Sequence, residues 1–358
     1  MRTKLLTVCL VFAALSALGT LTGSTTFYKI DIKKDIGSTT WIYTQKGFEE
    51  AAEKQADAIL IHMNTYGGEV LYADSIRTKI LNADLPVYVF IDNNAASAGA
   101  LIAIACDKIF MRPGSTIGAA TVVSQMGEAM PDKYQSYMRA TMRATAEAHG
   151  KDTIVHGRDT TYQWKRDPKI AEAMVDQGTV IPNLVDSGKT LTFTAIEAER
   201  YGYCDGIAKD MDEVINKYLK INDYKVISFR PSAMDNIKGF LMSSIFQGIL
   251  IMLIIGGIYF ELQTPGIGFP SIVAVTAALL YFAPLYIEGL AANWEILVFV
   301  IGLILLAVEI FAIPGFGITG ILGIIFIIAG LTLSLVNNVN FDFEPVETGA
   351  LGKALFTV

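Results

Sequence analysis

The residues best placed to do chemistry lie in VYVFIDNNAASAGALIAIACDKIF, from Val87 to Phe110. An apolar, β-rich run from Val87 to Ile91 is broken by Asp92, Asn93 and Asn94, and an apolar helical pattern begins at Ala100. Ser97 therefore falls in a turn between a strand and a helix. A serine so placed is a candidate nucleophile. Its neighbours Ala95, Ala96, Ala98 and Gly99 are small enough to let a substrate backbone approach. The N–H groups and positive dipole end of the new helix can stabilise an oxyanion. The same serine also suits a plain helix cap, since Ser is a preferred N-cap. A second loop, NTYGGEV, follows the continuous apolar run from Ala58 to Met63, as expected for a strand of a buried parallel sheet. Gly67 and Gly68 let backbone approach a ligand and present N–H groups to it.

A serine nucleophile needs a base. His62 sits within a strand pattern. His149 ends the helical pattern that runs from Lys133 to Ala148, where an imidazole suits the helix dipole, and His156 lies in a polar stretch. A lysine can serve instead where burial favours its neutral form. Lys133 follows Met130, Pro131 and Asp132 and opens its helix, where the dipole disfavours a cation. Lys108 and Lys151 are its rivals. Cys9, Cys106, Cys204 and the scattered histidines show neither metal-ligand spacing nor a disulfide framework, so no metal and no cofactor are expected.

Around these loops, FYKIDI reads as a strand and Trp41 to Gln55 as an amphipathic helix. The run from Leu71 to Leu81 continues as a helix, and KIFM at Lys108 to Met111 is a short strand. The repeated β-α order with short connections predicts a parallel sheet with right-handed crossovers. Both loops then close neighbouring strands at their carboxyl ends, where ligands bind in such sheets. Further on, Thr194 and Glu197 form a capping-box pattern, Gly202 stops that helix, and Cys204 to Ala208 reads as an edge strand before a last helix from Asp212. The α/β domain is expected over residues 27–220.

The chain has 358 residues, is 52% hydrophobic and carries a net charge of −7. No basic run occurs, which excludes nucleic acid as a partner. Arg2 and Lys4 precede the apolar run from Leu5 to Leu18, so residues 1–23 read as a signal peptide, or as an uncleaved anchor. No Lys or Arg occurs from Gly239 to Gly352. Four apolar stretches there, Phe240 to Tyr259, Ile267 to Ile287, Ile296 to Ile313 and Phe316 to Val336, are long enough to cross a bilayer. Residues 221–238 are expected as a linker, 239–336 as a transmembrane region and 337–358 as a tail. Glu261 shortly before Pro265 and Glu309 shortly before Pro314 form a weak repeat around two PGxG turns. These glutamates are either a paired polar site or parts of two helix–turn–helix joints.

The segments ILIHMNTYGGEV, AASAGALIAIACDKIFMRPGSTIGAA, PDKYQSYMRA and TAIEAERYGYCDGIAKDMDEV resemble the ClpP/crotonase fold. More closely, they resemble the membrane-bound serine peptidases of the NfeD family, relatives of signal peptide peptidase A. The PGxG turns resemble the membrane region of that family. The resemblance implies an α/β ClpP/crotonase-like domain followed by an all-α multi-pass transmembrane region. It implies a Ser–Lys dyad falling on Ser97 and Lys133, and an oxyanion hole formed by the N–H groups of Gly68 and Ala98. It further implies cleavage of hydrophobic segments of membrane proteins, a stomatin-like protein as substrate or partner, contact with the lipid bilayer, and an extracytoplasmic protease domain. A homo-oligomer, dimer or larger, is expected. Tyr66 stands where the family usually has proline, which bears on the shape of that loop. Family members usually continue into a small OB-like barrel, whereas this sequence stops at Val358, so that domain is expected to be absent or truncated. The alternative function is a non-catalytic membrane scaffold organising stomatin-like proteins. A crotonase-type acyl-CoA enzyme fits a signal segment and membrane spans poorly.

Overall fold

Strand–helix alternation builds the N-terminal unit, as the sequence pattern predicts. The computed structural model describes residues 24–124, 127–156, 159–263, 268–287, 293–312 and 317–334. The expected signal segment and the tail lie outside the described residues. The chain divides into two units, one ending at Arg230 and the other beginning at Pro231.

In the first unit β1 (Thr25–Ile32), α1 (Ser38–Glu53), β2 (Ala58–Thr65), α2 (Val70–Leu81), β3 (Val87–Ala96), α3 (Ala98–Ala105) and β4 (Lys108–Met111) follow one another. The main sheet has the order β10-β1-β2-β3-β4-β9, where β9 is Gly206–Ile207 and β10 is Tyr224–Ser228. Every pairing on that path is parallel. The sheet turns mixed beyond the end of β4, where β5 (Thr116–Gly118) pairs in parallel with the end of β3 and antiparallel with β8 (Thr192–Thr194).

Side-chain alternation sorts the two faces of the sheet. Ile30, Ile32, Ile59, Ile61, Met63, Val89 and Ile91 join one buried core with Phe48, Ala73, Ile76 and the whole of α3. Each such side chain contributes about 1.5–3 kcal/mol on burial. On the opposite face Phe27 and Leu60 pack against Ile215, and Phe90 and Phe110 against Val214. These last residues follow α7 (Met211–Glu213).

Two expectations are corrected. Asp92, Asn93 and Asn94 do not end β3, because Asn94, Ala95 and Ala96 pair with β5 after β4 has stopped. The linker expected over 221–238 is also shorter, since β10 pairs with β1 and extends the first unit to Arg230.

The unit is completed by α4 (Asp132–Glu147), an antiparallel hairpin of β6 (Lys151–His156) and β7 (Asp159–Trp164), α5 (Pro168–Ala173) and α6 (Ala195–Arg200). The Thr194–Glu197 capping box is present at the start of α6.

The second unit is helical: α8 (Ala233–Leu241), α9 (Ser244–Gln263), α10 (Phe269–Ile287), α11 (Asn293–Ala312) and α12 (Ile318–Ser334). Among the described residues, the segment Phe269–Tyr286 is long and apolar enough by itself to cross a membrane. Glycines let the helices approach closely: a β-carbon at Gly302 would lie 2.7 Å from the Ile327 nitrogen, and one at Gly330 2.7 Å from Phe299 Cβ. The repeated glutamates act as caps across their turns. Glu261 accepts from the N–H groups of Gly268 (2.6 Å) and Ser271 (3.0 Å), and Glu309 accepts from that of Gly317. Each holds the N-terminus of the next helix, whose first N–H groups have no intrahelical acceptor.

Candidate active site

Ser97 joins β3 to α3 through a rare backbone conformation, φ 54° and ψ −119°. It stands at the N-cap position, yet its hydroxyl makes no capping hydrogen bond. Such a conformation costs about 1–3 kcal/mol outside glycine and persists only where the surroundings enforce it. Here the Ser97 N–H donates to Gly118 O (2.9 Å), and the Ser97 carbonyl accepts from the Ala100 N–H (2.9 Å). The next residue, Ala98, begins the helix, so its N–H is among those without an intrahelical acceptor.

The glycine loop closes the neighbouring strand β2. Gly67 and Gly68 adopt φ values of 118° and 153°, which side chains rarely tolerate. The Gly67 carbonyl accepts from the Ile36 N–H (2.8 Å), and the Glu69 N–H donates to Ile36 O (2.7 Å). A planar trans peptide points its C=O and N–H in opposite directions. The Gly68 N–H therefore points away from Ile36. A β-carbon at Gly67 would lie 2.6 Å from Ser97 Cβ, so the two loops touch.

Gly68, Ser97 and Ala98 line one cavity of about 50 Å³, together with Thr121, Val122 and Met138. Val123, which also lines the cavity, is an exposed apolar residue, as are Tyr66 and Leu71, which flank the lining residues Gly68 and Val70 in sequence. The wall at Val122 is stapled to the first turn of α4: the Gln135 amide accepts from the Val122 N–H (3.0 Å) and donates to Val122 O (2.7 Å) and Met130 O (3.1 Å).

Lys133 is the second residue of α4. It is exposed, does not line the cavity, and its Nζ lies 6.0 Å from the centre of the Tyr134 ring. The apolar setting expected around its amino group is not provided by this chain alone. Lys108 is in register with Tyr88 at the opposite end of β3 from Ser97. Ser97 lies nine positions beyond Tyr88, roughly 30 Å at the usual rise per residue. Lys151 follows the far end of α4, and its Nζ lies 4.2 Å over the Trp164 ring.

Two of the histidines are occupied elsewhere. The His62 ring nitrogens lie 3.3 Å from the Asp31 carboxylate and 3.4 Å from that of Asp92, on the face of the sheet opposite α3. His149 Nε2 hydrogen-bonds Ile104 O at 2.7 Å at the end of α3, and burial, with the Arg166 charge beside it, pushes its pKa down to about 4. The Arg166 guanidinium, itself buried, donates to Ile104 O (2.8 Å), Cys106 O (2.7 Å) and Asp107 O (3.2 Å). The helix that begins at Ser97 is thus capped at its far end by two side chains. Among the described residues, no group of three or more His, Cys, Asp and Glu side chains is arranged to hold a metal ion.

Residues 26–157 match the NfeD1b N-terminal domain, and residues 245–357 match the NfeD integral membrane domain. The chain is 32% identical over 310 residues to membrane protein NfeD1b of Bacillus subtilis, which covers 86% of this chain and 67% of that protein. The chain belongs to the NfeD family. It is also 26% identical over 330 residues to the membrane-bound protease PH1510 of Pyrococcus horikoshii, covering 86% of this chain and 68% of that one. It thus spans about two thirds of the length of both relatives. Among solved structures, the 1510-N membrane-bound stomatin-specific protease, a lysine-to-alanine mutant in complex with a substrate peptide, is similar with a TM-score of 0.50. That match has 24% identity and covers 61% of this chain and 98% of the other. The first unit of this NfeD-family chain therefore has the α/β fold of that protease, and the chain is a membrane protein related to a membrane-bound protease.

Sequence reasoning passed over two contributors to the cavity wall: Val122 and Gln135 act through a contact that no local pattern announces. It also passed over Thr65, whose hydroxyl accepts from the Gly67 N–H (3.1 Å); a threonine two residues before a glycine in a turn is the pattern of a side-chain-stabilised turn.

Proposed function

We propose that this NfeD-family protein is a membrane-anchored serine endopeptidase with a Ser97–Lys133 dyad. One observation carries the proposal: the strained Ser97, its hydroxyl not used for capping, shares a cavity with the two residues whose N–H groups are free of local acceptors, Gly68 and Ala98. Ser97 Oγ attacks the peptide carbonyl carbon. The developing oxyanion accepts from the Gly68 and Ala98 N–H groups, preorganised donors of the kind that stabilise charge most in such sites. Neutral Lys133 takes the serine proton, and the resulting ammonium passes it to the leaving amine. Water then hydrolyses the acyl-enzyme along the same path.

Topology supports Lys133 over its two rivals, since Lys108 pairs with the end of β3 opposite Ser97 and Lys151 follows the far end of α4. Lys133 opens the helix whose first turn is stapled to the cavity wall through Gln135 and Val122. Its long flexible stem swings the amine from solvent into the cavity when substrate covers the site. The exposed Tyr66, Leu71 and Val123 suit an apolar substrate segment, and the relationship to a membrane-bound protease supports this reading. A stomatin-like membrane protein is the substrate or partner that the family resemblance suggests. The four long helices α9 to α12 would then cross the bilayer and hold an extracytoplasmic protease domain at its surface, in a homo-oligomer.

The exposure of Lys133 favours a second reading, a non-catalytic scaffold for stomatin-like proteins. Proteolysis of a hydrophobic peptide separates the two. Wild type should cleave it, and Ser97→Ala, Lys133→Ala and Lys133→Arg should not, since a guanidinium stays protonated. Lys151→Ala should cleave normally, and all variants should keep the wild-type unfolding temperature. Absence of cleavage by wild type would leave the scaffold reading, whereas cleavage that survives Lys133→Ala would exclude the scaffold and overturn Lys133 as the base.

A further inference from the structure

Thr65 ends β2 directly before the glycine loop and is only 2% exposed. Its hydroxyl accepts from the Gly67 N–H (3.1 Å) and donates to Lys34 O (2.8 Å). The Gly67 carbonyl lies a further 3.3 Å from the same oxygen. Its methyl group packs against the start of α3, since a β-carbon at Gly99 would lie 2.7 Å from Thr65 Cγ2. One side chain thus touches the glycine loop through its oxygen and the serine's helix through its carbon.

The peptide between Gly67 and Gly68 needs such a restraint. Both residues have glycine's freedom, and rotation of that peptide would turn its C=O into the cavity in place of its N–H. Tyr66 does not restrict φ as a proline would. Two bonds from Ile36 hold the outer side of the loop, and the Thr65 hydroxyl holds the peptide immediately before it. We propose that Thr65 is a positioning residue that keeps the Gly68 N–H directed at the oxyanion, while its methyl sets the distance between the two loops. This rests on the peptidase reading above.

The test uses the whole 358-residue chain in detergent, with Thr65→Val, which keeps the methyl, and Thr65→Ser, which keeps the hydroxyl. Peptide cleavage gives kcat and KM, a fluorophosphonate titrates the fraction of reactive Ser97, and thermal unfolding reports folding. Thr65→Val should lose about tenfold or more in kcat, less than the complete removal of an oxyanion donor, with KM within about twofold. Its titratable fraction and unfolding temperature should stay at wild-type values. Thr65→Ser should keep kcat within about threefold of wild type. The proposal is overturned by a wild-type kcat in Thr65→Val, by a loss that the titratable fraction accounts for, or by an equal loss in Thr65→Ser. A wild-type chain that neither cleaves nor titrates overturns the peptidase reading itself.

Discussion

The α-carbon of Gly67 lies against the side chain of Ser97: a β-carbon at 67 would come within 2.6 Å of Ser97 Cβ and 3.1 Å of its Oγ. The backbone there has φ 118°, so any side chain adds strain to the collision. Gly67→Ala should displace the serine or the loop, lowering cleavage by about a hundredfold and stability by about 1–3 kcal/mol. Cleavage rate and thermal unfolding check this, and a fully active Gly67→Ala would show that the loops do not meet as described.

Arg166 supports the other end of the helix that Ser97 begins. Its buried guanidinium is the donor for Cys106 O and Asp107 O and shares Ile104 O with His149. Arg166→Met keeps the volume and removes the donors, leaving buried acceptors unpaired at about 1–3 kcal/mol each. Unfolding temperature should fall clearly, and an unchanged value would mean that water replaces the guanidinium without cost.

His149 makes stability depend on acid. Burial and the neighbouring Arg166 charge hold its pKa in the folded chain at about 4, below the ordinary histidine value near 6.5. The unfolded chain therefore takes up a proton first as pH falls. The stabilisation is complete above about pH 6.5 and is lost progressively down to about pH 4. Unfolding temperature measured across this range should drop less steeply in His149→Gln than in wild type. Parallel slopes would remove His149 from the acid response.

Both described cysteines should be inert in the folded chain. Cys106 and Cys204 are buried and free, and burial pushes the Cys204 thiol up to about 12 and that of Cys106 higher still. A maleimide at neutral pH should label neither until denaturant is added, because the thiolate is the reactive form. Rapid labelling of Cys204 in native conditions would contradict this burial.

Much of the local structure around the candidate site was legible because its signals are local. A strand ending in small residues around Ser97, a double glycine after a buried apolar strand, and the Thr194–Glu197 capping box each need only a few neighbouring residues. What escaped depends on distant partners. Asn94, Ala95 and Ala96 stay in strand because β5 arrives from beyond residue 115 to pair with them. The hairpin of β6 and β7 is largely polar and shows no apolar alternation. Tyr224–Ser228 is an edge strand with exposed side chains, which reads as linker until β1 is placed beside it. The position of Lys133 at a helix start was readable, but its exposure depends on what the helix packs against.

Fluorophosphonate labelling tests the Ser97–Lys133 dyad most directly, because it reads the serine's reactivity without needing the natural substrate. Folded wild-type protein should be labelled at Ser97, as located by mass spectrometry of the labelled peptide. Lys133→Ala should slow labelling by about a hundredfold or more without lowering the unfolding temperature. Ser97 left unlabelled in folded wild type, or labelled at an undiminished rate in Lys133→Ala, would contradict the dyad.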